Sequence, residues 1–83
     1  MRFNIIYKAS VERDLKRLTK VEARRILQGI ERHLAEKAGA YPVLKGRFAG
    51  LRRFRVGDYR VIYAMNESNA IILHIRHRRE AYR

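Results

Sequence analysis

With 83 residues the chain can form one small domain around a modest core, and 1–83 reads as a single unit. It carries 20 Lys+Arg against 8 Asp+Glu, a formal net charge of +12 at pH 7, and no cysteine. That composition excludes a disulfide framework, cysteine-ligated zinc and a thiol nucleophile. It also points to a polyanion or an acidic protein as partner, because solubility alone is better served by acidic residues.

The first predicted element is a short strand over Arg2 to Lys8, with Phe3, Ile5 and Tyr7 on one alternating face. Ser10 stands where a hydroxyl can cap a helix, and Val11, Leu15 and Leu18 come after it at helical spacing. Thr19-Lys20-Val21-Glu22 has the capping-box pattern, Thr at the N-cap and Glu three residues on, so a second helix starts there. Its apolar stripe is Ala23, Ile26, Leu27, Ile30 and Leu34, and Gly39 is suited to end it. The two helices should form an αα-hairpin packed on one face of a sheet. Pro42 gives an extended entry to the second half of the chain, and Lys45-Gly46-Arg47 reads as a turn at the edge of a basic surface.

Three strands complete the chain. In the first, Phe54 and Val56 should face a core while Arg53 and Arg55 share the other face. Gly57-Asp58 reads as a turn, Tyr59 to Met65 as the next strand, Asn66 to Asn69 as a second turn, and Ala70 to Arg76 as the last strand. The expected fold is α+β, in the order β-α-α-β-β-β, with an antiparallel sheet that the first strand joins so that its backbone groups are satisfied. Guanidinium groups crowd one sheet face. A polyanion laid across them relieves their mutual repulsion, and arginine offers phosphate a planar fork of donors. An anionic membrane is a weaker fit, because the basic residues do not line one face of a long amphipathic helix. No apolar run is long enough to span a bilayer and no signal-peptide pattern is present, which suits a cytoplasmic protein.

RNA can be cut without a metal or other cofactor when the ribose 2′-hydroxyl attacks the adjacent phosphate. That needs a proton acceptor, a cation for the crowded phosphorane and a donor for the leaving 5′-oxygen. Arginines supply the cation. Candidates for proton transfer are His74, His77, Tyr82, Glu80 and Lys45. His74 lies inside a strand and reads first as a packed or edge histidine, whereas His77 lies past the strand end. Tyr59 and Tyr63 share a face with Val61 and read as core, and Asp58 as a turn residue. Metal catalysis has little support, since no carboxylate cluster accompanies His74 and His77. Gly46 and Gly50 do not make a phosphate-cradling loop.

Leu44-Lys-Gly, Leu51-Arg-Arg-Phe-Arg-Val-Gly-Asp-Tyr-Arg-Val-Ile-Tyr and His77-Arg-Arg-Glu-Ala-Tyr-Arg, in that order behind a strand and a helix pair, resemble the RelE/ParE superfamily of toxins, and the RelE branch more than the ParE branch. The resemblance covers essentially the whole chain. It implies a ribosome-dependent endoribonuclease that cuts mRNA in the A site, silenced by a cognate antitoxin with an acidic, partly disordered segment. It implies basic residues at Arg53 and Arg55, a transition-state arginine at Arg60 and a phosphate or leaving-group arginine at Arg78. A tyrosine that stacks or passes a proton falls at Tyr82. Lys45, Arg47, Arg52, Arg76, Arg79 and Arg83 are then the expected RNA-binding set. RelE-type enzymes often carry lysine where this chain has Arg53 and Arg55. Lysine can lose its proton among other cations and arginine cannot. The general base is then His77 or Tyr82, or the substrate or ribosome completes the proton transfer. Two rival readings are a ParE-like inhibitor of DNA gyrase that cuts no RNA, and a relative that only binds RNA or an antitoxin.

Overall fold

The computed structural model describes residues 2–46 and 49–79. The elements are β1 (Asn4–Tyr7), α1 (Ala9–Lys16), α2 (Lys20–Gly29), β2 (Arg52–Val56), β3 (Tyr59–Asn66) and β4 (Asn69–His77). The β-α-α-β-β-β order and the helix pair on one sheet face are as expected. The sheet order is β1-β4-β3-β2. β2, β3 and β4 are antiparallel neighbours. β1 instead pairs in parallel with β4, Asn4 opposite Asn69 and Tyr7 opposite Ile72, so the sheet is mixed rather than wholly antiparallel. The helices carry the chain over one face, and two tight hairpins then bring β4 back alongside β1 in the same direction. Among the described residues no helix is long and apolar enough to cross a membrane.

Local chemistry accounts for most boundaries. Thr19 caps α2, its Oγ1 accepting from the Glu22 N–H at 3.1 Å. Ser10 does not cap α1: that helix begins at Ala9, with Lys8 at the N-cap, two residues earlier than a Ser10 cap would place it. The Ser10 hydroxyl instead donates to the Leu73 carbonyl at 2.7 Å. Leu73 is available because β4 bulges there: Ile62 faces His74 while Tyr63 faces Ile72, leaving Leu73 as the extra residue. Gly57 turns the β2–β3 hairpin with φ +59, a conformation that side chains disfavour.

α2 runs on through a wide π turn (Ile30–Leu34), a short helical piece (Ala35–Lys37) and a 3-10 turn (Ala38–Ala40). The buried positions explain the wide turn. Ile26, Ile30, Leu34 and Ala38 are all fully buried at strict four-residue spacing. Such a stripe drifts around a regular α-helix, and one wider turn brings it back over the sheet. Gly39 does not adopt the left-handed ending, because the 3-10 turn ends the helix instead. These helical residues pack with Val11 against Phe54, Val61, Tyr63, Ala70, Ile72 and Ile75.

Tyrosine hydroxyls tie the two layers together. Tyr7 donates to Glu31 at 3.0 Å, Tyr59 to Glu22 at 2.8 Å and Tyr63 to the Ala38 carbonyl at 2.5 Å. Burial, then the bond to Glu31, holds the Tyr7 phenol well above its ordinary value. Burial pushes Tyr63 up to about 12.

A tyrosine in the unfolded chain ionises near 10, so the stabilisation from neutral Tyr63 is complete below that pH and is lost as pH rises toward about 12. Urea unfolding across the alkaline range should show stability falling over that window. Tyr63→Phe should cost about 1 kcal/mol at neutral pH and flatten the alkaline decline.

Candidate active site

The helices cover one face of the sheet, and the site lies on the other. Strand alternation turns Phe54 inward, 5% exposed, and leaves Arg53 and Arg55 on the open side. Pairing register then sets the neighbours. Arg55 faces Arg60, and Arg60 faces Arg76, so three arginines form one transverse row over β2, β3 and β4. Arg53 faces Ile62, which faces His74, in the adjacent row. Directly opposed side chains lie about 5 Å apart at Cβ, and like charges there are destabilising. Arg60 is the most enclosed of the row at 6% exposure, so its surroundings fix its position.

Two expected RNA-binding arginines are committed elsewhere. Arg52 lies on the helix side, opposite Tyr63, and donates to the Tyr41 carbonyl at 2.5 Å. Arg76 leans off the row around the edge of β4 to Asp14 on α1, Nη1 to Oδ1 2.7 Å. Asp14 is 9% exposed and also accepts the Ile75 N–H at 3.0 Å.

The expectation for His77 is a place past the strand end, more exposed than His74. It instead ends β4, is half-buried, and faces Tyr59 with ring centroids 5.3 Å apart. It therefore lies on the helix side, away from Arg53, Arg55 and Arg60. The Leu73 bulge reverses the parity of β4, and so His74 is the strand histidine on the arginine face. His74 Nδ1 is 3.4 Å from Arg76 Nη2.

Arg78 is exposed, its N–H bonded to the Asp58 carbonyl at 2.7 Å and its guanidinium 4.0 Å from the Asp58 carboxylate. The Arg79 N–H donates to His77 Nδ1 at 3.2 Å. Lys45 is exposed in the loop before β2, where Leu44 N–H bonds the Leu51 carbonyl at 2.7 Å. Arg47, Glu80, Tyr82 and Arg83 lie outside the described residues. Among the described residues, no three His, Asp or Glu side chains gather as a metal site would require.

Residues 5–82 match the family model described as the ParE toxin of the type II toxin–antitoxin system, parDE. The chain belongs to the ParE toxin family. Its place in the wider RelE/ParE superfamily agrees with solved structures. The archaeal RelE–RelB complex from Pyrococcus horikoshii OT3 is similar at 30% identity, covering 98% of this chain and 100% of that one, TM-score 0.72. The RelBE2 toxin–antitoxin complex from Mycobacterium tuberculosis has the same fold at 20% identity, covering 93% and 99%, TM-score 0.85. YafQ from E. coli strain BL21(DE3) has it at 18% identity, covering 99% and 100%, TM-score 0.64. No curated protein sequence matches the chain.

As a toxin of a type II pair, the chain divides its arginines between structure and surface, and substitution separates the two groups. Arg52→Ala should lower unfolding free energy by about 1–2 kcal/mol, because the Tyr41 carbonyl loses its charged donor. Arg55→Ala, on an exposed side chain, should change it by no more than about 0.5 kcal/mol. Chemical denaturation of both variants measures the difference.

Proposed function

We propose that this toxin is a metal-independent endoribonuclease that cuts mRNA in the ribosomal A site and so halts translation. The observation that carries the reading is the open-face row, in which Arg55 and Arg60 sit in direct register with Arg53 two residues away on the same face of β2. Two guanidiniums in register present adjoining forks of donors, an arrangement suited to a phosphate. A phosphate seated over Arg55 and Arg60 would engage both, and the same guanidiniums stabilise the dianionic phosphorane better than the ground state. In the step itself the 2′-oxygen attacks phosphorus and gives up its proton. The bond to the 5′-oxygen breaks, leaving a cyclic phosphate, and that oxygen takes a proton. The arginines do not serve as the base. His74 and Tyr82 are the proposed proton-transfer residues, His74 for its place on the arginine face and Tyr82 for its match to the family's terminal tyrosine. His77 is a poor fit because it lies on the other side of the sheet. A cognate antitoxin carrying an acidic segment would silence the toxin by covering the same row. That the similar RelE–RelB and RelBE2 proteins form toxin–antitoxin complexes supports an antitoxin partner.

Arg60→Ala should slow single-turnover cleavage on programmed ribosomes about a hundredfold, roughly 3 kcal/mol of transition-state stabilisation, and Arg60→Lys should recover part of it. Undiminished cleavage by Arg60→Ala sinks the assignment.

His74→Gln and Tyr82→Phe separate the proton-transfer candidates. The residue that serves as base should lose the chemical step while retaining RNA binding. If Tyr82 acts by stacking, worth roughly 1–3 kcal/mol, Tyr82→Phe should cleave normally and Tyr82→Ala poorly.

The match to the ParE model supports a second reading, inhibition of DNA gyrase without RNA cleavage. Intact mRNA in translation extract together with trapped DNA cleavage complexes in a supercoiling assay would favour it.

A further inference from the structure

A second cationic feature lies around the outer edge of β2. Arg25 and Arg32 on the α2 side and Arg55 on the strand line a cleft of about 340 Å³, together with His33, Tyr41 and Phe54. Among the described residues no carboxylate lines it. Arg25, Arg32 and Arg55 are all exposed, and among the described residues none of them has an ion-pair partner. Glu22 and Asp58 border the next depression along, on the far side of Arg25. The cleft is therefore positive from Arg25 toward Arg32. Its floor is aromatic: Phe54 is buried, with Tyr41 edge-on at 5.1 Å and His33 tilted at 5.6 Å. Gly29 lets the helix come this close, since a Cβ there would meet Val56 Cγ2 at 3.1 Å.

We propose that this cleft is a second phosphodiester subsite, holding one nucleotide of single-stranded RNA beyond the cleavage centre. Its phosphate sits among Arg25, Arg32 and Arg55, and its base lies against His33 and Tyr41. Three features favour RNA over an acidic peptide. The cations are all arginine, whose fork fits a phosphate's oxygens. Rings beside them give a base a surface on which to stack, the usual grip of single-strand binders. Arg55 also borders both places, lining the cleft while facing Arg60 in the sheet register, so a strand crossing the open face reaches the cleft over the edge of β2 without a break in positive charge. The proposal rests on the open face being an RNA surface, but its test reads binding and not cleavage.

The experiment measures affinity of the full chain for a short labelled oligouridine over a series of salt concentrations. Each single-strand phosphate neutralised adds about 0.7 to the slope of log affinity against log salt. Arg25→Ala/Arg32→Ala should bind about tenfold more weakly, with a slope shallower by about 0.7 as the one cleft phosphate is lost. The control Arg13→Ala/Lys16→Ala removes the same charge from exposed positions on α1, which packs on β4, toward the opposite edge of the sheet from β2, and should change neither appreciably. Equal effects of the two variants, or none from the cleft variant, overturn the proposal. So does a wild-type chain that does not bind the oligonucleotide, or a cleft variant that keeps RNA affinity and loses binding to oligoglutamate, which would give the cleft to a protein partner. Arg60→Ala tests the cleavage reading separately, so either idea can fail while the other stands.

Discussion

The carboxylate of Asp14 is the interaction on which the arrangement depends. β1 ends at Tyr7, opposite Ile72, so among the described residues the rest of β4 has no strand on that side. Asp14 takes the place of one, accepting the Ile75 N–H and holding α1 against the edge of β4. Without it a backbone donor that is nearly inaccessible to water would lack a partner. The same carboxylate draws the Arg76 guanidinium toward α1. A buried ion pair is by itself weak evidence of stability. Here it does two structural jobs at once, closing a sheet edge and thinning the positive charge over β3.

What stays on the open face is then concentrated on β2 and β3. Arg53 and Arg55 lie on the edge strand and Arg60 is enclosed beside them. An enclosed guanidinium loses little freedom when an anion arrives, whereas exposed ones adapt to a flexible strand of nucleic acid. The α+β frame supplies this difference: β3 is central and covered, β2 is an edge.

Much of this is legible in the residues. The alternation of Arg53, Phe54, Arg55 and Val56 sets the faces of β2, and Thr19 with Glu22 sets the start of α2. What escapes a reading of the residues is departure from regular period. Ser10 has the right chemistry for a cap, but a bulge 63 residues later offers its hydroxyl another acceptor. That bulge at Leu73 also exchanges the faces of His74 and His77; the run Ile71-Ile72-Leu73, apolar without alternation, is its only trace in the sequence. Arg52 reads as one more surface arginine, although it shares the parity of buried Phe54. Parity alone places it inward; its carbonyl partner on Tyr41 is a tertiary fact.

The parallel pairing of β1 with β4 also has a consequence in time. Asn4 meets Asn69, and Tyr7 meets Ile72. During synthesis the first strand and both helices therefore emerge long before the strand that completes their sheet. Contacts so distant in sequence are made late and slow the search for the fold. Until β4 is made, Arg60 lacks the third arginine of its row and Asp14 lacks both of its partners. The sheet therefore closes late, with the first strand waiting on the last.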